Sequence, residues 1–207
     1  MILSVIISSI IQVLLFTLIP LIVYLIKAKT VKGFFNYIGL YPADKRPVVI
    51  AVFVSLLFTL SIMLLVVFNV SVKEAMIAPN TVTGSLRGLQ SIPEKIAVLL
   101  IISCIKTSLA EEIFFRGFVA KRLINSLGFS TGNLIQALLF GIVHVVLFLA
   151  YTKADFFFLF IALLLPGSIG YLIGYINEKI GNGSIFPGWI THALGNIIAN
   201  SVLVFFI

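Results

Sequence analysis

Six stretches of this chain, near residues 1–26, 47–70, 96–120, 133–150, 156–176 and 185–207, stay apolar for roughly the 20 residues a helix needs to cross a bilayer. Nothing else constrains the fold as strongly. In hydrocarbon every backbone N–H and C=O must be satisfied internally, which leaves only helices or closed barrels. The runs lack the apolar/polar alternation of barrel strands. The expected fold is therefore all-α: a polytopic membrane bundle of about six transmembrane helices, in a single membrane domain over residues 1–207. Composition agrees, with 61% hydrophobic and 10% charged residues and a mean hydropathy of +1.23, outside the range of soluble domains.

The first apolar run lacks a basic leader and ends at Lys27 rather than at a small-residue cleavage site, so it reads as a retained helix, not a signal peptide. The net charge of +7 does not point to nucleic acid, because the bases lie beside membrane segments. Lys27, Lys29, Lys32, Lys45, Arg46, Lys121, Arg122 and Lys179 fall in the first, third and fifth connections. Only Lys73, Arg87, Lys95 and Lys153 fall in the second and fourth. Eight against four places the odd connections in the cytoplasm and both termini outside a plasma membrane. The first connection mixes bases with aromatics and suits the anionic membrane surface. The bilayer is thus the first expected partner.

The single Cys104 lies in a membrane segment and supports no disulfide framework. Residues 1–94 read as apolar scaffold, with 71–95 a turn-rich, exposed connection. Every strongly polar intramembrane group of interest lies in 95–207. Gly170 and Gly174 form a GxxxG that marks close helix packing.

The costliest residues to bury occur in LAEEIFFRGF, residues 109–118. A charged side chain at the bilayer centre costs from about 2.5 to more than 10 kcal/mol. Glu112 and Arg116 are four apart and can pair on one helix face; this pair alone could be structural. Glu111 projects about 100° away, and a structural ion pair does not account for it. Lys106, five residues before Glu111, snorkels or pairs with a carboxylate.

Both histidines of the chain lie in membrane segments. His144 follows Gln136 on one face, and His192, Asn196 and Asn200 form a stripe at four-residue spacing. Counting from the expected cytoplasmic ends at 1.5 Å per residue puts Glu111, His144 and His192 roughly 12 to 18 Å deep, in one layer. The cavity they line is expected to open to the cytoplasm. A carboxylate screened from water can serve as general base. One histidine can orient water, while a second with an asparagine amide can hold an oxyanion. No covalent-nucleophile arrangement stands out.

EEIFFR (Glu111 to Arg116), FGIVH (Phe140 to His144) and HALGN (His192 to Asn196) together resemble the three signatures of the CAAX-protease and bacteriocin-processing family. These are intramembrane endopeptidases that include the type II CAAX prenyl endopeptidases. The resemblance implies Glu111 as base assisted by His144, His192 and Asn196 at the oxyanion, and Glu112, Arg116 and Phe140 in support. It implies a peptide or protein substrate, prenylated or a peptide precursor. No metal is favoured; the alternative is zinc on Glu111, His144 and His192. Two other functions remain open from sequence: a non-proteolytic immunity or scaffold protein, and a proton-coupled transporter built on the same Glu and His residues.

Overall fold

The structure, a computed structural model, describes residues 1–207. It is helical throughout and contains no strand. Five helices are long and apolar enough to span a membrane: α1 (Ile2–Ala28), α3 (Lys45–Phe68), α8 (Phe129–Tyr151), α9 (Phe156–Tyr175, extended by a π-helical turn Ile176–Ile180) and α10 (Phe186–Phe205). The remaining expected span, around 96–120, lies within an unbroken helical run over 92–127. That run comprises α6 (Ile92–Ile101), π-helical stretches Ile102–Leu109 and Glu112–Ala120, and α7 (Lys121–Leu127). This run, residues 92–127, is the site helix.

The two π stretches bracket Ala110 and Glu111. Widened turns of this kind occur often at functional sites, and their displaced carbonyls need other donors. Thr107 Oγ1 donates to the Ile102 carbonyl at 3.0 Å and Trp189 Nε1 to that of Cys104 at 2.7 Å. The tryptophan thereby ties α10 to the site helix. On its other side α10 packs against α3.

Helices α8 and α9 form a close antiparallel pair across the 152–155 turn. The GxxxG glycines lie at this seam, as expected. A Cβ on Gly174 would collide with the Asn133 side chain, and one on Gly170 would lie 3.0 Å from an Arg116 Nη2. Gln136 is fully buried there, donating to Asn133 Oδ1 and the Gly170 carbonyl at 2.9 and 3.0 Å. It fastens the helix pair and does not line the cavity.

The connections form two distinct ends. At the end carrying the eight bases, Ile185 N donates to the Gly39 carbonyl, Tyr41 Oη to that of Asn182, and Lys121 Nζ reaches Glu178 at 2.7 Å. Phe34 and Ile38 (the first from the short α2, Phe34–Tyr37) bury against Ile113 and Ile185. At the opposite end, residues 71–95 are not the exposed connection expected. They fold into α4 (Val70–Ile77) and α5 (Val82–Arg87), capped by Asn69 accepting from Val72 N at 3.0 Å and Thr81 from Gly84 N at 3.1 Å. Turn-forming residues served as helix caps. Val72 and Ala75 bury with Val66, Phe158 and Leu203, and Leu86 with Val98 and Leu99.

Candidate active site

The site helix contributes both glutamates and the arginine. Arg116 Nη1 lies 3.1 Å from Glu112 Oε1, and the two side chains are only 1% and 0% exposed. The guanidinium lies 4.1 Å from the Phe140 ring centroid, a cation–π contact that adds to the ion pair. Phe140 also packs edge-on against Phe115, His144 and His192. Its ring thus touches the guanidinium of the charged pair and both imidazoles.

The imidazole of His192 spans both carboxylates. Its Nδ1 is 3.3 Å from Glu112 Oε1, and its Nε2 is 3.8 Å from Glu111 Oε2. Glu111 therefore meets the same histidine as its neighbour from a different side. The cluster thus sets two carboxyl groups and one imidazole beside a single guanidinium. His144 approaches from α8, with Nδ1 2.8 Å from the Phe140 carbonyl. A carbonyl only accepts, so Nδ1 carries the hydrogen and Nε2 offers a lone pair.

Asn196 Nδ2 donates to Thr107 Oγ1 at 3.1 Å and, weakly, to Ser108 Oγ at 3.4 Å. The Thr107 proton is committed to Ile102, so its oxygen must accept, which fixes the direction of the amide. An oxyanion role for Asn196 requires its second N–H to leave Ser108. Asn200 accepts from Thr83 Oγ1 of α5 at 2.7 Å and donates to the Asn196 carbonyl at 2.8 Å. Lys106 plays no part in the cluster, because its Nζ donates to Ser8 Oγ of α1 at 3.1 Å.

Asn177 and Gly188 were not visible as site residues in the sequence, where Asn177 read as part of a connection. Asn177 Oδ1 accepts from Gly188 N at 2.9 Å, filling one of the unpaired donors in the first turn of α10. Its Nδ2 and Glu112 Oε2 are both buried and without a hydrogen-bond partner. Each lies 2.6 Å from where a Cβ on Gly188 would sit. Asn177 thus fastens the start of α10, one turn before His192, and its unpaired Nδ2 and the unpaired Glu112 Oε2 flank Gly188. Thr107 and Ser108 were also missed, although each stands four residues before a glutamate and on its face.

Two connected cavities meet at this cluster. One, of about 320 Å³, holds Glu111, His144, His192, Asn196 and Thr107 at depth and Asn80, Thr81, Thr83 and Tyr151 at its mouth. The other, of about 230 Å³, lies between Phe58, Ile62 and Leu65 of α3 and Ile161, Leu165 and Ile169 of α9, and also reaches the histidines. The mouth residues belong to the end of the bundle with four bases, not the end with eight. The expectations of a cytoplasmic opening and of a cytoplasmic basic end therefore cannot both hold. Counting along a helix gives depth, but Glu111 stands near the middle of 92–127 and that count does not tell which end is open. No three His, Cys, Asp or Glu side chains converge closely enough to share a metal ion.

The family model for "Type II CAAX prenyl endopeptidase Rce1-like" matches residues 93–198. That span contains the whole site helix from its second residue and all three motifs. No curated protein and no solved structure matches the chain.

Proposed function

This chain belongs to the Rce1-like type II CAAX prenyl endopeptidase family, and from that membership we propose that it is an intramembrane endopeptidase hydrolysing peptide bonds with a water activated by Glu111. One observation carries the mechanism: a single histidine ring, that of His192, lies between a cavity-facing glutamate and a buried, arginine-paired one.

In this reading, water sits between the Glu111 carboxylate and the His144 Nε2 lone pair. Glu111 takes a proton as the water oxygen attacks the carbonyl carbon. His192, oriented by Glu112 through Nδ1, gives the developing oxyanion a hydrogen bond from a protonated Nε2. Asn196 adds a second after releasing Ser108. Collapse breaks the C–N bond, and the proton held by Glu111 passes to the leaving amine. The products are a carboxylic acid and an amine, and the starting enzyme is regenerated. The apolar cleft between α3 and α9 accommodates an apolar segment of the substrate.

The test is a comparison of peptide termini from cells carrying wild type or Glu111→Gln at equal abundance. Termini present only with wild type are the expected result, and cleavage by purified protein is expected to survive a chelator. Equal termini in both strains would overturn the peptidase reading in favour of a non-proteolytic role.

A further inference from the structure

We propose that the catalytic cavity opens to the non-cytoplasmic side of the membrane, so that its substrate is a peptide segment exposed there. The substrate half of this proposal rests on the peptidase reading above; the placement of the opening does not.

Two independent observations combine. The first is charge. The end built by residues 27–46, 121–128 and 177–184 holds eight Lys and Arg against Asp44 and Glu178. The other end holds Lys73, Arg87, Lys95 and Lys153 against Glu74, Glu94 and Asp155. Short connections rich in lysine and arginine stay in the cytoplasm, because moving their charges across the bilayer during insertion is unfavourable. The second is the position of the mouth. Met76, Asn80, Thr81, Val82 and Thr83, from α4, α5 and the turn between them, rim the cavity above Glu111. These residues belong to the less basic end. That end is continuous with both termini: the Met1 amine lies 3.7 Å from Glu94, and Arg87 Nη1 donates to the Leu203 carbonyl at 2.8 Å.

The lining narrows the substrate further. Around Glu111 the mouth offers the Asn80 amide and the Tyr151 hydroxyl, with no lysine or arginine. Amides and hydroxyls pair with peptide backbone groups. A free C-terminal carboxylate would find no lysine or arginine to meet it and would face Glu111 as well. The chemistry therefore suits an internal peptide bond in an uncharged stretch, within an exported peptide or the outward-facing part of a membrane protein. A lipidated cytosolic C-terminus would meet the closed, basic end.

The experiment uses the full chain in intact cells. In a Cys104→Ser background, Asn80→Cys places a thiol at the mouth and Asn125→Cys one at the basic end; both positions are exposed. A membrane-impermeant maleimide is expected to label Asn80→Cys in intact cells and Asn125→Cys only after lysis. Labelling of Asn125→Cys in intact cells, or of Asn80→Cys only after lysis, overturns the proposed opening. The wild-type against Glu111→Gln termini then test the substrate half. Cleavage sites in exported or outward-facing segments support it, and sites in cytosolic proteins overturn it. If no Glu111-dependent terminus appears while Asn80→Cys labels from outside, the peptidase reading fails and the orientation stands.

Discussion

Glu112 is expected to support both stability and catalysis, and a pair of variants separates the two. Glu112→Gln keeps the side-chain shape but leaves the Arg116 guanidinium, 1% exposed and 3.1 Å from its partner, without a counter-charge. Breaking a buried pair from one side costs about 3–5 kcal/mol. For a chain of this size that lowers the melting midpoint by about 6–20 °C. Removing both charges in Glu112→Gln/Arg116→Met leaves no orphaned ion, and such replacements are often close to neutral. The double variant should therefore melt near wild type in detergent. Its cleavage rate should nevertheless stay low. His192 Nδ1 has lost the carboxylate that fixes its ring, and misorienting a catalytic imidazole costs on the order of 10²–10⁴-fold in rate. The assay is a thermal melt of purified protein alongside cleavage of a substrate identified from the termini comparison. A Glu112→Gln single variant that melts like wild type would refute the electrostatic reasoning. A double variant with wild-type turnover would refute the role assigned to the Glu112–His192 contact.

Further outcomes follow from other contacts. Asn177→Asp keeps the acceptor for Gly188 N but turns the group facing Glu112 Oε2 from donor to acceptor; it should fold and lose turnover with little change in KM, whereas unchanged turnover would leave Asn177 as a helix cap alone. Lys106→Met should leave cleavage at the wild-type rate, since Lys106 bonds Ser8 and not a carboxylate; a large loss in rate would contradict that placement. Asp155 caps α9, accepting from Phe158 N at 2.7 Å and Ser71 Oγ at 2.6 Å, and these bonds hold its pKa below the usual aspartate value, the serine contact first. A lowered folded-state pKa gives stability that is complete above the unfolded value, near pH 4, and is lost as pH falls through the folded one. Melts at successively lower pH should therefore show a loss in wild type that Asp155→Asn, which still caps but does not titrate, lacks.

Much of the site was legible because helical geometry is local. Four-residue spacing is enough to pair Glu112 with Arg116 and to align His192, Asn196 and Asn200. The π-helical widening and the partners that stabilise it were not legible, because the Trp189–Cys104 and Asn196–Thr107 bonds join residues more than eighty positions apart. Asn177 was hidden for the same reason, since its meaning comes from Gly188 and Glu112, which belong to other elements. The turn-rich stretch 71–95 looked like a surface connection because its caps and breaks are also turn signals; only burial of Val72, Ala75 and Leu86 shows it packed against the bundle.

By itself the sequence determined that this chain is a helical membrane protein, where its ionisable groups lie along each helix, and the set of motifs its family shares. Those follow from hydropathy, helical period and residue order, which are properties of short segments. Tertiary structure alone decided that one imidazole reads both glutamates, that the Asn196 amide turns toward Thr107, and that the cavity mouth lies at the less basic end. Each depends on how separate helices pack side by side, and rotation about a helix axis is set by the neighbours it meets.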